Sequence, residues 1–449
     1  MQETFDITQF CDKLYREYHA NGNGVSVNFR KEISFLNSNE RYTHSIHSYP
    51  AKLISHIPFF FINNEKFIKP GEIILDPFCG SGTTLLEANI KGIHAFGADA
   101  NPLARLISKC KTEPINLNSA RTFLYQIVAT AKSIEGVEII DFKNIDMWFS
   151  PRVKKDLSKL YSAILNIRKG KYQDFYLVCF SSLLGKTSYT DPRIAVPVRI
   201  NINRYPVGSK GRDNVQELID KINTIDVYST FESICLANIK RFESLLGIHN
   251  FGKTRIISRD ARRLTENLSS SKLLANETID MILTSPPYAS AQKYIRSSSI
   301  SLYWLNLLEG KTIVELDSQN IGRENYKKSS IKERSVGIKD ADEIIKSIYQ
   351  KNPLRGEIVS SYLLEMEAAL DESVRVLKHG KYLVLIVGNN NVSGYQFNTK
   401  HYLSEYLRLK GMHLELELID DIKSYGLMTK RNKTANIITR EWILVFKKT

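Results

Sequence analysis

The sequence predicts an α/β chain: a doubly wound, mostly parallel sheet with a C-terminal antiparallel strand pair, plus a largely helical inserted domain. Three observations carry this prediction. Short apolar runs ending in small or acidic residues recur along the chain, helical patterns separate them, and near the C-terminus the pattern shifts to period two.

The runs read as buried strands because continuous apolar stretches suit a parallel sheet covered on both faces. They are Glu72-Ile-Ile-Leu-Asp76, His94-Ala-Phe-Gly-Ala-Asp99, Arg255-Ile-Ile-Ser-Arg-Asp260, Ile279-Asp-Met-Ile-Leu-Thr-Ser285 and Lys381-Tyr-Leu-Val-Leu-Ile-Val-Gly-Asn389. A helix over 82–91 follows the first. Leu414-Glu-Leu-Glu-Leu418 alternates apolar and acidic residues, as on a half-exposed edge strand, and Glu441-Trp-Ile-Leu-Val-Phe446 reads as its more buried antiparallel partner. Asp76 to Asp99 is an ordinary βαβ step, but the third strand begins only near Arg255. Residues 111–253 are therefore an inserted, mainly helical candidate domain. It divides the core into a first part, 1–110, and a second, 254–449, the latter with a basic loop near 306–355. Within the insertion, Ser150-Pro151 supplies an N-cap and a proline at the first helical position. Val153, Leu157, Leu160, Ile164 and Ile167 then share one helical face, and 213–246 carries another long helical stretch.

The length of 449 residues suits two or three domains, and 43% hydrophobic with 24% charged residues excludes a disordered or collagen-like chain. No apolar window is long enough for a membrane span. The first residues lack the basic-then-apolar order of a secretory signal, so a cytoplasmic location is expected. The five cysteines, Cys11, Cys79, Cys110, Cys179 and Cys235, form no Cys-x-x-Cys pair, which indicates neither a disulfide framework nor a zinc ribbon. With 62 basic against 48 acidic side chains, the net charge of +14 points to a polyanionic partner, most simply nucleic acid, or to no more than a soluble basic surface.

Two motifs carry chemistry. Asp76-Pro-Phe-Cys-Gly-Ser-Gly-Thr-Thr84 sits where a strand ends and a helix begins. Gly80 and Gly82 let the backbone turn tightly, and the following helix offers its N-terminal amides. Asp99 at the tip of the next strand stands where an acid commonly binds ribose hydroxyls. The third glycine of a dinucleotide motif and the lysine of a phosphate-cradling loop are both missing. Acids at both strand ends suit a positively charged nucleoside, and S-adenosylmethionine is such a ligand. The second motif, Thr284-Ser-Pro-Pro-Tyr288, closes the fourth strand. Its prolines donate no hydrogen bonds, so the segment offers carbonyl acceptors, the Ser285 hydroxyl and the flat face of Tyr288. Such a pocket suits a planar base with an exocyclic amine, held so that the nitrogen lone pair meets an electrophile.

Together the motifs resemble those of the DNA amino-methyltransferases (cytosine-N4 and adenine-N6), within the class I S-adenosylmethionine-dependent methyltransferase fold. Asp76-Pro-Phe-Cys-Gly-Ser-Gly-Thr83 is similar to the family's cofactor motif, and Thr284-Ser-Pro-Pro-Tyr288 to its catalytic motif in the form usual for cytosine-N4 enzymes. Adenine-N6 enzymes more often carry Asp or Asn where this chain has Ser285. His47-Ser-Tyr-Pro-Ala-Lys52 resembles a further cofactor-side motif, and Asp260 falls where the family places a residue near the adenine ring. The resemblance, over roughly 41–110 and 254–449, implies S-adenosyl-L-methionine held by Tyr49, Lys52, Asp76, Phe78, Gly80, Gly82, Thr83, Asp99 and Asp260. It implies a flipped base held by Ser285, Pro286, Pro287 and Tyr288, and no metal.

In this order of motifs the insertion would be the target-recognition domain. Its basic tract, Lys186, Arg193, Arg199, Arg204, Lys210 and Arg212, with Tyr189 and Tyr205, fits phosphate contact with some stacking, or a solvated loop. A second basic stretch (Arg323, Lys327, Lys328, Lys332, Arg334 and Lys339) closes over DNA or is a surface loop, and Lys430, Arg431 and Lys433 are further candidates for the cleft. His44, His47 and His56 form no metal pattern. Cys79 reads as packing, because cytosine-C5 chemistry needs a cysteine that typically lies beside a proline, and no Pro-Cys dipeptide occurs. Trp304 reads as core. The expected activity is cytosine-N4 methylation of double-stranded DNA, with a cognate restriction endonuclease as a candidate partner and a monomer as the simple state. The rivals are adenine-N6 methylation, an RNA methyltransferase and a non-catalytic DNA-binding regulator.

Overall fold

Each apolar run becomes a strand. The computed structural model describes residues 5–36, 41–50, 52–289, 293–421 and 440–449. Its strands are β1 (Val25–Ser26), β2 (Ile73–Asp76), β3 (His94–Ala98), β4 (Thr254–Ser258), β5 (Ile279–Thr284), β6 (Leu377–Val387), β7 (Asn390–Val392), β8 (Tyr395–Phe397), β9 (Met412–Asp421) and β10 (Arg440–Lys448). Eight of them form one sheet in the order β1-β9-β10-β6-β5-β2-β3-β4, and β7 and β8 pair separately. All neighbours in the large sheet run parallel except β10, which is antiparallel to both β6 and β9.

Alternate side chains serve opposite faces of the sheet. Leu75, Ile282, Leu383, Leu385 and Leu444 pack toward the helices Lys339–Lys351, Pro353–Val376 and Thr399–Leu409. Ile74, Met281, Leu283, Val384 and Ile443 pack toward Ile7–Asn21, His56–Ile62 and Thr83–Ile90. Full burial of each such side chain contributes about 1.5–3 kcal/mol, which is why the central strands carry almost no polar residues. The inserted helices Leu117–Ser133, Pro151–Leu165, Lys171–Thr187 and Val227–Glu243 share a third apolar cluster with Pro102–Thr112 and Ser299–Trp304. Trp304 is fully buried there, edge-on to Phe149 at 5.5 Å. Ser150 caps its helix as the sequence predicts, its hydroxyl accepting from the Val153 amide at 3.3 Å.

Three local expectations need correction. β9 is not an edge strand: Val25 and Ser26 of β1 pair with Leu418 and Ile419, and two residues are too few to read as a strand. The acids of β9 are accommodated by ion pairs, Glu417 with Lys400 at 2.8 Å and Glu415 with Lys447 at 3.6 Å. The 213–246 stretch is two helices, Lys210–Thr224 and Val227–Glu243, divided where Asp226 accepts from the Tyr228 and Ser229 amides. The 306–355 segment is only partly loop, since it contains the helices Ile313–Asp317 and Lys339–Lys351.

The topology positions the site. The chain passes outward from β2 to β3 to β4, then returns to β5 on the other side of β2. Connections diverge at that reversal and leave a crevice beyond the C-terminal ends of β2 and β5. No helix among the described residues is long and apolar enough to cross a membrane.

Candidate active site

β2 ends at Asp76 and β5 at Thr284, and these two buried residues join. The Thr284 hydroxyl donates to Asp76 Oδ1 at 2.6 Å, and the Phe78 amide donates to the same oxygen at 3.1 Å. The glycine motif and the Ser-Pro-Pro-Tyr motif are thus tied across the reversal point. Gly80 (φ +49°) and Gly82 (φ +77°) form the turn between β2 and the helix Thr83–Ile90. A Cβ on Gly82 would lie 2.7 Å from Ser108 Cβ, so only glycine lets the turn pack onto the helix Pro102–Thr112. The Gly80 amide donates to Asp99 Oδ2 at 2.9 Å and the Asn101 amide to Oδ1 at 2.8 Å, which fixes that carboxylate at the tip of β3.

A cleft of about 890 Å³, its open mouth included, lies over these ends. Its wall includes Tyr49, Lys52, Asp76, Phe78, Gly80, Thr83, Asp99 and Asp260, together with Ser285 and Pro287. Gly82, Pro286 and Tyr288 are not on the wall. Arg259, Tyr294, Gln319, Asn320 and Ile321 are, and the sequence did not single them out. Arg259 is the neighbour of a predicted residue. The other four reach the cleft from segments beyond the catalytic motif and carry no local pattern.

Electrostatically the wall favours a cation near its acids. Burial raises the Asp76 carboxyl to about 6 despite the bonds it accepts, and burial also raises Asp99 above the ordinary carboxylate range. A positive ligand offsets that cost directly. Lys52, lowered by burial to about 8, donates to the His44 carbonyl at 2.8 Å. His44 in turn lies 2.7 Å from Glu87 on the glycine-motif helix, so His44 and Lys52 are tied to the turn they serve. Asp260 is already engaged: Arg262 forks onto both its oxygens at 2.9 Å and reaches the Gln319 carbonyl at 3.0 Å. Burial pushes the Cys79 thiol well up, and a Cβ on Gly97 would lie 3.0 Å from its sulfur, the surroundings of a packing residue. The Tyr288 hydroxyl donates to Glu441 Oε1 on β10 at 2.6 Å.

Of the basic residues, Lys186, Arg193, Arg199, Arg204 and Lys210 are exposed. Arg193 forks onto Asp191 at 2.8 and 2.6 Å and lies over the Tyr205 ring, while Arg199 lies over Tyr189. Arg212 is instead half-buried and bonds the Tyr205 carbonyl at 3.2 Å, holding the loop together. Lys327 and Lys328 are exposed, whereas Arg323 pairs with Glu365 and Arg334 with Glu357. Lys186 lines a second cleft, of about 1430 Å³ with its open mouth, beside His47, Asn238, Arg241 and Ser301. Lys430, Arg431 and Lys433 lie outside the described residues. Among the described residues, no group of three or more His, Cys, Asp or Glu side chains is placed to hold a metal ion.

A DNA methylase family model matches residues 15–109, the segment that carries the glycine turn and Asp99. Over 97% of its length the chain is 24% identical to the Type II methyltransferase M.MvaI of Kocuria varians, covering 96% of that protein. It is also 24% identical to M.AvaI of Anabaena variabilis over 92% of this chain and 90% of the relative, and 25% identical to M.BsoBI of Geobacillus stearothermophilus over 68% and 60%. These matches support a DNA amino-methyltransferase. The likeness to M.MvaI and M.AvaI spans the inserted helices as well as the sheet. The cleft fits the cofactor that such enzymes use: paired acids stand at the switch point, a glycine turn opens the helix and Lys52 lies on the same wall.

Proposed function

We propose that this DNA methyltransferase methylates the N4 amine of cytosine in double-stranded DNA at a specific site. The observation that carries the reading is the Thr284–Asp76 hydrogen bond, which sets Ser285 and Pro287 on one wall with Asp76 and Asp99. S-adenosylmethionine bound there supplies a methyl group activated by a sulfonium. Asp99 holds the ribose, Asp76 and the Gly80–Gly82 turn the methionine portion, Lys52 and Tyr49 the same end of the cleft, and Asp260 the adenine side. Ser285 Oγ, on that wall, accepts an amine hydrogen of a flipped base, which turns the nitrogen lone pair toward the methyl group. Most of the acceleration is positioning, since an amine conjugated to a ring is a poor nucleophile until it is aligned.

Serine at position 285, where adenine-N6 enzymes more often carry Asp or Asn, favours cytosine. Lys186, Arg193, Arg199, Arg204 and Lys210, with Lys327 and Lys328, contact phosphates and offset the cost of unstacking the base. The Type II names of the relatives support a cognate restriction endonuclease as partner; a monomer acting in the cytoplasm is the simplest state for this reading. The test is expression in a methylation-free bacterial host, followed by base-resolved mapping of its genome. N4-methylcytosine at one sequence motif, absent with Ser285→Ala, is expected. N6-methyladenine at the motif would overturn the base assignment.

A further inference from the structure

Tyr288 has a partner that base binding leaves unexplained. Its hydroxyl donates to Glu441 at 2.6 Å, and the Ser285 hydroxyl, three residues earlier in the same motif, acts on the same phenol as a donor that favours its ionised form. Ser285 lines the cleft, while Tyr288 and Glu441 do not. A hydroxyl, a phenol and a carboxylate therefore lead from the cleft wall to β10. Across the β9–β10 ladder Glu441 stands opposite Asp420, which is 2% exposed.

We propose that Ser285, Tyr288 and Glu441 form a relay that removes the proton released by the methylated amine, with Glu441 its terminal acceptor. The inference rests on the amino-methyltransfer reading and holds for either exocyclic amine. An amine that gains a methyl group must lose one proton. The nitrogen lone pair forms the new N–C bond while the electron pair of the C–S bond goes to sulfur, leaving the nitrogen positive. Ser285 Oγ takes the excess proton as its own passes to Tyr288 Oη, and the phenol proton passes to the Glu441 carboxylate. Serine and tyrosine end as they began, and the charges on nitrogen and Glu441 are both cancelled. Glu441, which is half-buried, then releases the proton to water.

The surroundings suit a proton acceptor. Burial raises the Glu441 carboxyl, which makes the ionised form a stronger base, and Arg30 on the helix Phe29–Glu32 opposes that shift and favours ionisation. From β9, Asp420 is raised by burial to about 6, with Arg30 lowering it and Glu441 and Asp421 adding to the rise. From β6, the neighbour across the ladder is the apolar Val387, opposite Trp442.

A carboxylate that merely clamped the tyrosine ring would predict something different. Glu441→Gln keeps an oxygen that accepts from the phenol but cannot take up the proton. The experiment is single-turnover methylation of duplex DNA by wild type, Glu441→Gln, Tyr288→Phe and the double variant across acid and neutral pH, with cofactor affinity measured alongside. Either single variant should slow methyl transfer roughly 100-fold at unchanged cofactor affinity, a usual share for general-base help. The double variant should be no slower than the singles, because both break one chain. The wild-type rate should fall on the acid side as Glu441 protonates, and that limb should vanish in Glu441→Gln. A Glu441→Gln enzyme that matches wild type at every pH removes the relay and leaves the methyltransferase reading intact. A wild type that transfers no methyl group to DNA removes both. If Glu441→Gln fails to fold, Tyr288→Phe reads the same step.

Discussion

Thr284 joins two chemistries through one hydroxyl, and its partner Asp76 meets the cost of sitting in the cleft. In the fold the Asp76 carboxyl titrates near 6, against about 3.9 in an unfolded chain. A raised acid contributes stability that is fully present below the unfolded value and is lost as pH rises through the folded value. Above pH of about 6, ionised Asp76 therefore costs the fold up to about 3 kcal/mol. Asp76→Asn should be more stable than wild type at neutral pH, the difference should vanish below pH of about 4, and cofactor affinity should fall. Denaturant unfolding at several pH values, with titration calorimetry, checks this, and a pH-independent difference would contradict it. Asp99→Ala should weaken cofactor binding by about tenfold to a hundredfold, the worth of hydrogen bonds to a charged group. An unchanged affinity would remove its ribose role. Gly82→Ala should destabilise the protein by about 1–3 kcal/mol through its positive φ and the approach to Ser108, measurable as a lowered denaturation midpoint.

At the scale of elements, the strands were legible because a buried parallel strand is a mostly apolar run, as in β2, β3, β5 and the second half of β6. β1 was hidden because two residues carry no period, and its presence converts β9 from an edge to an interior strand. The glycine turn and the Ser-Pro-Pro-Tyr segment were legible because each is a local motif. Their junction was not, since it depends on β5 returning beside β2 after the insertion. The same holds for Tyr294, Gln319 and Asn320, and for Glu441 on β10. The basic tract was legible as charge, but only coordinates separate the exposed Arg199 and Arg204 from Arg212, which braces the loop. Neutralising Arg193, Arg199 and Arg204 together should weaken DNA binding and flatten its salt dependence by about one unit of log–log slope for each phosphate no longer neutralised. An unchanged slope, measured by fluorescence anisotropy over a salt series, would take this tract out of the interface.

For the whole molecule, a basic chain of net charge +14 carries one acid-lined cleft at the switch point of its sheet and a second, more open cleft beside the inserted helices. In the proposed function the acids meet the cationic cofactor and the surface bases the polyanion, so the two ligands would be sorted by sign of charge. The inserted helices share an apolar cluster with the sheet's own helices, which couples the proposed recognition element to the one that shapes the cleft. The central claim is transfer of a methyl group to the exocyclic amine of a base in DNA. Its most direct test incubates the protein with methyl-labelled S-adenosylmethionine and mixed-sequence duplex DNA, digests the DNA to nucleosides and separates them. The account predicts label in N4-methylcytosine. Label in 5-methylcytosine, or in RNA but not in DNA, would contradict it.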